Sequence, residues 1–240
     1  MEKFTVDDLF GGRLRLSQPK NGYRYTIDPV ILSAHLSPVP NSRILDIGCG
    51  CGIMSIITGF RYPGYAVTGI EIQAELARIA AENAIENQMA KSVTIIHGDI
   101  RTIALSDIGP AFDLIISNPP YKKAGTGRLN PDTQKAIARH ELKLTIEQLF
   151  CRAEKLLVPN GRIVVIFPSE RVFDLYCAMA ATSISPEWLR FVHPIESKDA
   201  KRVIVSGVKN IKSSCRVLPP LHLYDSMNRP TKMYNSLFNP

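Results

Sequence analysis

Phe112-Asp113-Leu114-Ile115-Ile116-Ser117-Asn118-Pro119-Pro120-Tyr121 is the stretch that decides how this chain folds. Four of its first five residues are apolar and Asp113 is the lone charge, a pattern that fits a short strand buried on both faces of a parallel sheet. Two prolines then remove two backbone donors and fix φ, which places Asn118 and Tyr121 on a stiff turn beyond the strand's carboxyl end. In open α/β sheets ligands bind at that edge. The Asn118 side-chain oxygen and the Pro119 carbonyl form a pair of acceptors suited to an NH2 group. Holding its hydrogens draws a delocalised nitrogen lone pair toward tetrahedral geometry and aims it at an electrophile, while Tyr121 offers a face on which a planar substrate stacks. The same residues also suit a plain Pro-Pro turn with Asn118 as a local turn residue, and the stretch alone does not separate the two.

Upstream, residues 43–47 read as a strand running into Gly48-Cys49-Gly50-Cys51-Gly52, with residues 53–60 helical after it. Strand, glycine-rich turn and helix form the first half of a nucleotide-binding unit, in which glycine lets the backbone approach a ligand. Residues 66–70 are a second strand ending at Glu71, where an acid can bind the two hydroxyls of a ribose. An amphipathic helix is expected over 73–88, and a third strand over 93–96 leads to Asp99, again at a carboxyl end. Beyond the opening stretch come a helix over 142–157, a strand over 162–167 and a helix over 169–181. Residues 187–192 and 202–208 have no helix between them and pair as an antiparallel hairpin. Residues 1–40 read as a leader of short strands or turns with a helix near 29–35, and residues 209–240 as a polar, proline-punctuated tail with a short strand at 221–224.

A hydrophobic fraction of 45% over 240 residues and a mean hydropathy near zero suit a soluble globular protein of one large α/β domain or two small ones. No run approaches the roughly 18 apolar residues of a membrane helix. Glu2, Asp7 and Asp8 stand where a secretory signal would be apolar. The cysteines Cys49, Cys51, Cys151, Cys177 and Cys215 are odd in number and lack metal-ligand spacing, which argues against zinc or a disulfide framework and for reduced thiols in the cytoplasm. The net charge of +7 is concentrated, with nine basic and three acidic groups in residues 190–240 and six against two in residues 118–143. A polyanion is the expected partner, met by Lys122, Lys123, Arg128, Lys135 and Arg139 together with Lys198, Lys201, Arg202, Lys209 and Lys212. A merely solvated basic face is the ordinary alternative.

The order of these elements, with a glycine turn after strand one, an acid after strand two, Asp99 after strand three and Asn-Pro-Pro-Tyr after strand four, resembles the class I methyltransferases over residues 43–208. The resemblance implies an α/β, Rossmann-like fold with a seven-stranded sheet of order 3-2-1-4-5-7-6, strand seven antiparallel, and S-adenosylmethionine as cofactor. It places Asp46, Gly48, Gly50 and Gly52 at the methionine and ribose part of the cofactor, Glu71 with Ile72 at the ribose hydroxyls, and Asp99 with Ile100 at the adenine edge. The charges agree independently, since three acids suit a cationic, ribose-bearing ligand better than a pyrophosphate. Asn118-Pro119-Pro120-Tyr121 looks like the motif of the amine-methylating subset, which implies catalytic roles for Asn118, Pro119 and Tyr121, with Asn118 also facing the cofactor.

Residues 18–28 and Ala138-Arg139-His140-Glu141 are similar to the bacterial N6-methyltransferases that act on valine tRNA at the adenine 3′ of the anticodon. That closer resemblance implies tRNA as partner, with Arg139 and His140 facing it. It also implies a leader (1–40) folded over the cofactor site with Tyr25, Thr26 and Asp28 near the cofactor, a methyltransferase domain (41–210) and a C-terminal extension (211–240) that matches least. No metal is expected, and the protein is expected to be a monomer or weak homodimer. The competing readings are a glutamine N5-methyltransferase for a release factor or ribosomal protein, an rRNA amine methyltransferase, and an RNA-binding module without catalysis. The basic C-terminal fifth and the lack of a separate N-terminal helical domain count against the first.

Overall fold

Along the central strands successive side chains point to opposite faces, and here both faces are apolar, so helices must cover each. The computed structural model describes residues 4–20, 26–119, 144–212 and 214–239. A hairpin of β1 (Phe4–Leu9) and β2 (Leu14–Pro19) precedes a short helix α1 (Asp28–Ser33). Then come β3 (Arg43–Ile47), α2 (Ile53–Arg61), β4 (Ala66–Glu71), α3 (Ala74–Glu86), β5 (Val93–His97), α4 (Leu105–Ile108) and β6 (Phe112–Ser117). The second half holds α5 (Ile146–Leu156), β7 (Leu157–Pro168), α6 (Val172–Ala180), β8 (Ile184–Ile195), β9 (Arg202–Lys209), β10 (Arg216–Val217), β11 (Leu221–Tyr224) and α7 (Lys232–Leu237).

Among the described residues nine strands form one sheet, ordered β10-β8-β9-β7-β6-β3-β4-β5 with β11 also on β8. Counted from β3, the order 3-2-1-4-5-7-6 expected of the class is present, and β9 is antiparallel to both β7 and β8. Ile44, Leu114 and Ile116 face one layer with Ile56 and Ile57 of α2 and with Leu14 and Leu16 of the hairpin. Leu45, Ile47 and Ile115 face the other, against Leu149 and Phe150 of α5 and Leu175 and Met179 of α6. Each such fully buried side chain contributes roughly 1.5–3 kcal/mol. Asp113, the one charge in the buried strand, accepts the Arg43 N–H at 2.8 Å, while the Arg43 guanidinium lies 4.7 Å from the Phe112 ring centre. The charge thus closes the β3–β6 ladder, whose paired residues begin at Ile44 and Leu114.

The differences from the expected boundaries have local causes. Phe112 pairs with Leu157 but Leu114 with Arg162, so β7 starts earlier than expected and loops out around Asn160 at φ 65°. Between β9 and the β10/β11 pair, β8 has partners along most of its length and extends to Ile184–Ile195, with a bulge between Pro186 and Trp188. Helix α5 starts at Ile146 because Thr145 Oγ1 accepts the Gln148 N–H at 3.2 Å and Gln148 Oε1 accepts the Thr145 N–H at 3.0 Å. The helix expected over 169–181 begins with a 3₁₀ turn, Ser169–Arg171, before α6. In the tail, the strand at Leu221–Tyr224 is present and α7, which the sequence reading did not contain, packs beside it.

The hairpin is docked by two asparagines, Asn83 of α3 and Asn87, which caps the helix's carboxyl end. Asn83 Oδ1 accepts the Ser17 N–H at 2.8 Å, and its amide donates to the carbonyls of Ser17 and Cys51, both at 2.9 Å. Asn87 repeats the pattern with Arg15, accepting its N–H at 2.9 Å and donating to its carbonyl at 2.7 Å. Four helical residues rise about 6 Å and two strand residues about 6.6 Å, so one turn of helix matches alternate residues of the strand. Replacing the fully buried Asn83 by alanine leaves three backbone groups unpartnered, for an expected loss of about 2–4 kcal/mol. Asn87→Ala, nearer the surface, is expected to lose about 1 kcal/mol or less. Urea melts of both variants check this, and equal midpoints for Asn83→Ala and wild type would contradict the docking.

Candidate active site

The carboxyl ends of the parallel strands lie along one edge, and most of the described residues singled out by sequence lie on or just beyond it. Ile47 pairs with Ile70, and Glu71 with His97, so Gly48, Glu71 and Asp99 follow one another across β3, β4 and β5. On the other side of β3, the Ser117 hydroxyl donates to the Ile47 carbonyl at 2.8 Å, which fixes the end of β6 to the start of the glycine turn. Asn118 is half-buried and Pro119 buried just beyond it. Ile72 and Ile100 complete the edge, Ile72 through its carbonyl 3.1 Å from His97 Nε2 and Ile100 buried at 7% exposure.

The turn is wound by glycines for two different reasons. Gly50 sits at φ 57°, where a side chain is strained, and a Cβ there would meet nothing within 4 Å, so the backbone faces open space. Gly52 has φ 80°, and a Cβ on it would lie 2.9 Å from Cβ of Ala80, so it is small because α2 and α3 cross there. Glu71, 5% exposed, clasps the turn: Oε2 accepts the Gly50 N–H at 3.0 Å and Oε1 the Gln73 N–H at 2.9 Å. Beneath it Asp46 is fully buried, with Oδ2 accepting from Ser55 Oγ at 2.6 Å and Oδ1 without a hydrogen-bond partner. Burial pushes the Asp46 carboxyl up to about 7; the Ser55 hydrogen bond opposes this and the Glu71 charge adds to it. The adjacent thiols are driven up as well, Cys51 to about 11 by burial and the Glu71 and Glu75 charges, and Cys49 well above its usual range by burial, Asp46 and Glu71. Both shifts favour the neutral thiol, the less nucleophilic form. Asp99 is anchored by Arg101, whose guanidinium Nη2 and Nε lie 2.7 and 2.9 Å from Oδ2 and whose N–H donates to Oδ1 at 2.9 Å. Those hydrogen bonds hold the Asp99 carboxyl below the usual carboxylate range.

An unpartnered buried carboxylate oxygen, a cradle of open backbone and two further acids along the same edge suit a cationic ligand with hydroxyls. A family model described as the methyltransferase small domain matches residues 28–174. A Porphyromonas gingivalis protein named tRNA1(Val) (adenine(37)-N6)-methyltransferase is 35% identical over 204 residues, 82% of this chain and 79% of its own. The Aeromonas hydrophila protein of that name is 32% identical over 74% of this chain and 73% of its own. The chain belongs to the methyltransferase small domain family. It is a methyltransferase with the class I fold. Its fold matches a predicted O-methyltransferase of Agrobacterium tumefaciens with a TM-score of 0.71 at 21% identity, over 88% of this chain and 95% of that one. TrmN from Thermus thermophilus matches with a TM-score of 0.52 at 21% identity, over 71% and 44%. Among the described residues no three His, Cys, Asp or Glu side chains group as metal ligands, and no helix is long and apolar enough to cross a membrane.

In this methyltransferase Asp28 and Arg202, which the sequence reading assigned to different ligands, form an ion pair at 3.0 Å with Asp28 4% exposed. Thr26 Oγ1 accepts the Asp28 N–H at 3.2 Å. The basic groups divide. Arg202 pairs in register with Pro168 at the active-site edge, near the exposed Lys198 and Lys201. Lys209 stands seven residues further along β9, roughly 23 Å away, where its Nζ donates to the Leu157 carbonyl at 2.7 Å, and the exposed Lys212 follows. Tyr25, Tyr121, Lys122, Lys123, Arg128, Lys135, Arg139 and His140 lie outside the described residues. Sequence reasoning missed Ser55, Arg101 and Asn83. Arg101 had a signal in the Asp-x-Arg spacing after a strand, and Asn83 in being the polar residue on the Ala77, Ala80, Ala84 face of α3.

Gly50→Ala tests whether the open space is the cofactor's. A left-handed alanine costs roughly 1–2 kcal/mol of stability. The added methyl should weaken S-adenosylmethionine binding at least about tenfold, a factor equal to about 1.4 kcal/mol. Calorimetry giving wild-type affinity in a folded Gly50→Ala protein would place the cofactor elsewhere.

Proposed function

We propose that the protein methylates N6 of an adenine in tRNA, the anticodon-loop adenine 3′ of the anticodon of valine tRNA. The observation that carries the reading is the placement of Asn118-Pro119 at the carboxyl end of β6, tied to the glycine turn through Ser117 and Ile47. The named relatives support the substrate. Asp46, Gly48, Gly50, Gly52, Glu71, Ile72, Asp99, Ile100 and Asn118 would hold the cofactor, and the leader, through Tyr25, Thr26 and Asp28, would cover it. The unpartnered Oδ1 of Asp46 would meet the positive end of the cofactor and the Glu71 carboxylate its ribose. Lys122, Lys123, Arg128, Lys135, Arg139, His140, Lys198, Lys201 and Arg202 would meet RNA near the reacting base, and Lys209 and Lys212 would meet it at a distance. In this reading the protein works in the cytoplasm as a monomer or weak homodimer.

Bound S-adenosylmethionine supplies an electrophilic methyl group. Asn118 Oδ1 and the Pro119 carbonyl would accept the two N6 hydrogens. Their pull strengthens as the nitrogen becomes tetrahedral and positive, so the contact stabilises the transition state more than the ground state. Orienting the amine accounts for roughly 7–11 kcal/mol in favourable cases, and the methylated nitrogen is acidic enough to release its proton to water or Asn118. Tyr121 would stack the adenine, and a loop base is extruded more cheaply than a paired one.

The test is methyl transfer to tRNA from cells lacking the enzyme, with nuclease fragments mapped by mass. A methyl on the anticodon-loop adenine is expected; methyl on a protein glutamine, or none on tRNA, would overturn the proposal. Asn118→Ala should lower kcat by roughly 10²–10³ with S-adenosylmethionine affinity within a few fold, and turnover at the wild-type rate would mean the amine is activated elsewhere.

A further inference from the structure

On the α2 side of the sheet a cavity of about 330 Å³ opens among His35, Arg61, Arg190, Leu221, Ser236 and Asn239. It is separate from the cofactor edge. Helix α2 starts at the glycine turn and reaches the cavity only at its last residue, Arg61, a length of about 14 Å.

Two guanidinium groups meet there without a carboxylate. Arg61 donates through Nε to Ser33 Oγ at 3.2 Å and through Nη2 to the Leu237 carbonyl. Arg190 Nη1 lies 3.0 Å from His35 Nε2, while Arg190 Nε is buried with no hydrogen-bond partner. Among the described residues neither arginine forms an ion pair. His35 Nδ1 is 2.7 Å from the Ile31 carbonyl, which can only accept, so Nδ1 carries the proton and Nε2 accepts from Arg190. The imidazole is therefore neutral, consistent with burial and the two arginine charges lowering its pKa against the Ile31 hydrogen bond. The cavity is thus lined by two partly desolvated guanidinium groups with no carboxylate partner among the described residues, one of which also keeps an unsatisfied Nε buried behind it, and by Ser236 and Asn239 at an exposed rim.

Charges taken from water without a counter-ion are costly, and an anion supplied from outside removes that cost. A carboxylate offers two oxygens. A phosphate offers at least three strong acceptor oxygens to donors on Arg61, Arg190 and Asn239, and guanidinium forks match its edges, while the Ser236 hydroxyl already donates to the Met233 carbonyl at 2.7 Å. We propose that this cavity is a phosphate site, separate from the methyl-transfer centre, in which Arg61 and Arg190 hold the anion. The phosphate can belong to the backbone of bound RNA or to a free phosphate-bearing metabolite.

Inorganic phosphate is the first probe. In ¹⁵N-labelled protein at constant ionic strength, phosphate should give saturable shifts of the Arg190 Nε–H and the His35 ring nitrogens, with a dissociation constant on the order of 1 mM or tighter. Arg61→Gln and Arg190→Gln should each weaken the binding at least about tenfold, with S-adenosylmethionine binding reporting that they are folded. Adding tRNA instead separates the two sources. Loss of phosphate binding in the tRNA complex, with the same shifts, identifies an RNA backbone phosphate, and retained phosphate binding identifies a free metabolite. Shifts that do not saturate, or a saturable response that survives both substitutions, would overturn the proposal. The wild-type response at Arg190 Nε decides the matter even where a variant does not fold.

Discussion

The clasp between Glu71 and the glycine turn is the contact from which the active-site edge is built. One carboxylate accepts the Gly50 N–H from the turn after β3 and the Gln73 N–H at the start of α3. It thereby ties two adjacent strand ends together with one side chain. Such charge-assisted hydrogen bonds to backbone are worth roughly 1.5–3 kcal/mol each. Asn83 ties the other side of α3 to Cys51 in the same turn and to Ser17 of the hairpin, so leader, turn and helix are held as one body. The turn can leave Gly50 facing open space because its position is set from behind.

The cost of this arrangement falls on Asp46. An unfolded carboxyl loses its proton near pH 4, whereas Asp46 holds its proton to about 7 in the folded protein. Below the ordinary carboxylate range both states are protonated and nothing is lost. As pH rises from there toward about 7 the unfolded state releases its proton first, so stability falls, and above about 7 the cost is constant. The buried carboxyl is thus a destabilising feature at neutral pH, and a cation bound close to it would offset that cost.

Much of this edge was legible in the sequence because it depends on period and punctuation. Continuous apolar runs ended by Gly48, Glu71, Asp99 or Asn118 fixed strand ends to within a residue or so, and the missing helix between β8 and β9 gave the reversed strand. What was not legible depends on contacts between distant residues. Ser55 under Asp46, Asn83 across to Ser17, and Arg202 on Asp28 are side-chain pairs with no local signature. Composition located the basic tail but not its geometry: β9 carries Arg202 to one edge of the sheet and Lys209 to the other, and two arginines far apart in sequence, Arg61 and Arg190, meet in a cavity that no charge count revealed.

Asp46, a buried carboxyl with one unpartnered oxygen, is the group on which the proposed positive ligand would act. Its ¹³C carboxyl resonance, followed against pH with and without S-adenosylmethionine, tests that directly. Without ligand it should titrate near 7, and with saturating S-adenosylmethionine its midpoint should fall by at least a unit or so as the cation takes up Oδ1. A midpoint in the ordinary carboxylate range in the free protein, or one that S-adenosylmethionine leaves unmoved, would contradict it.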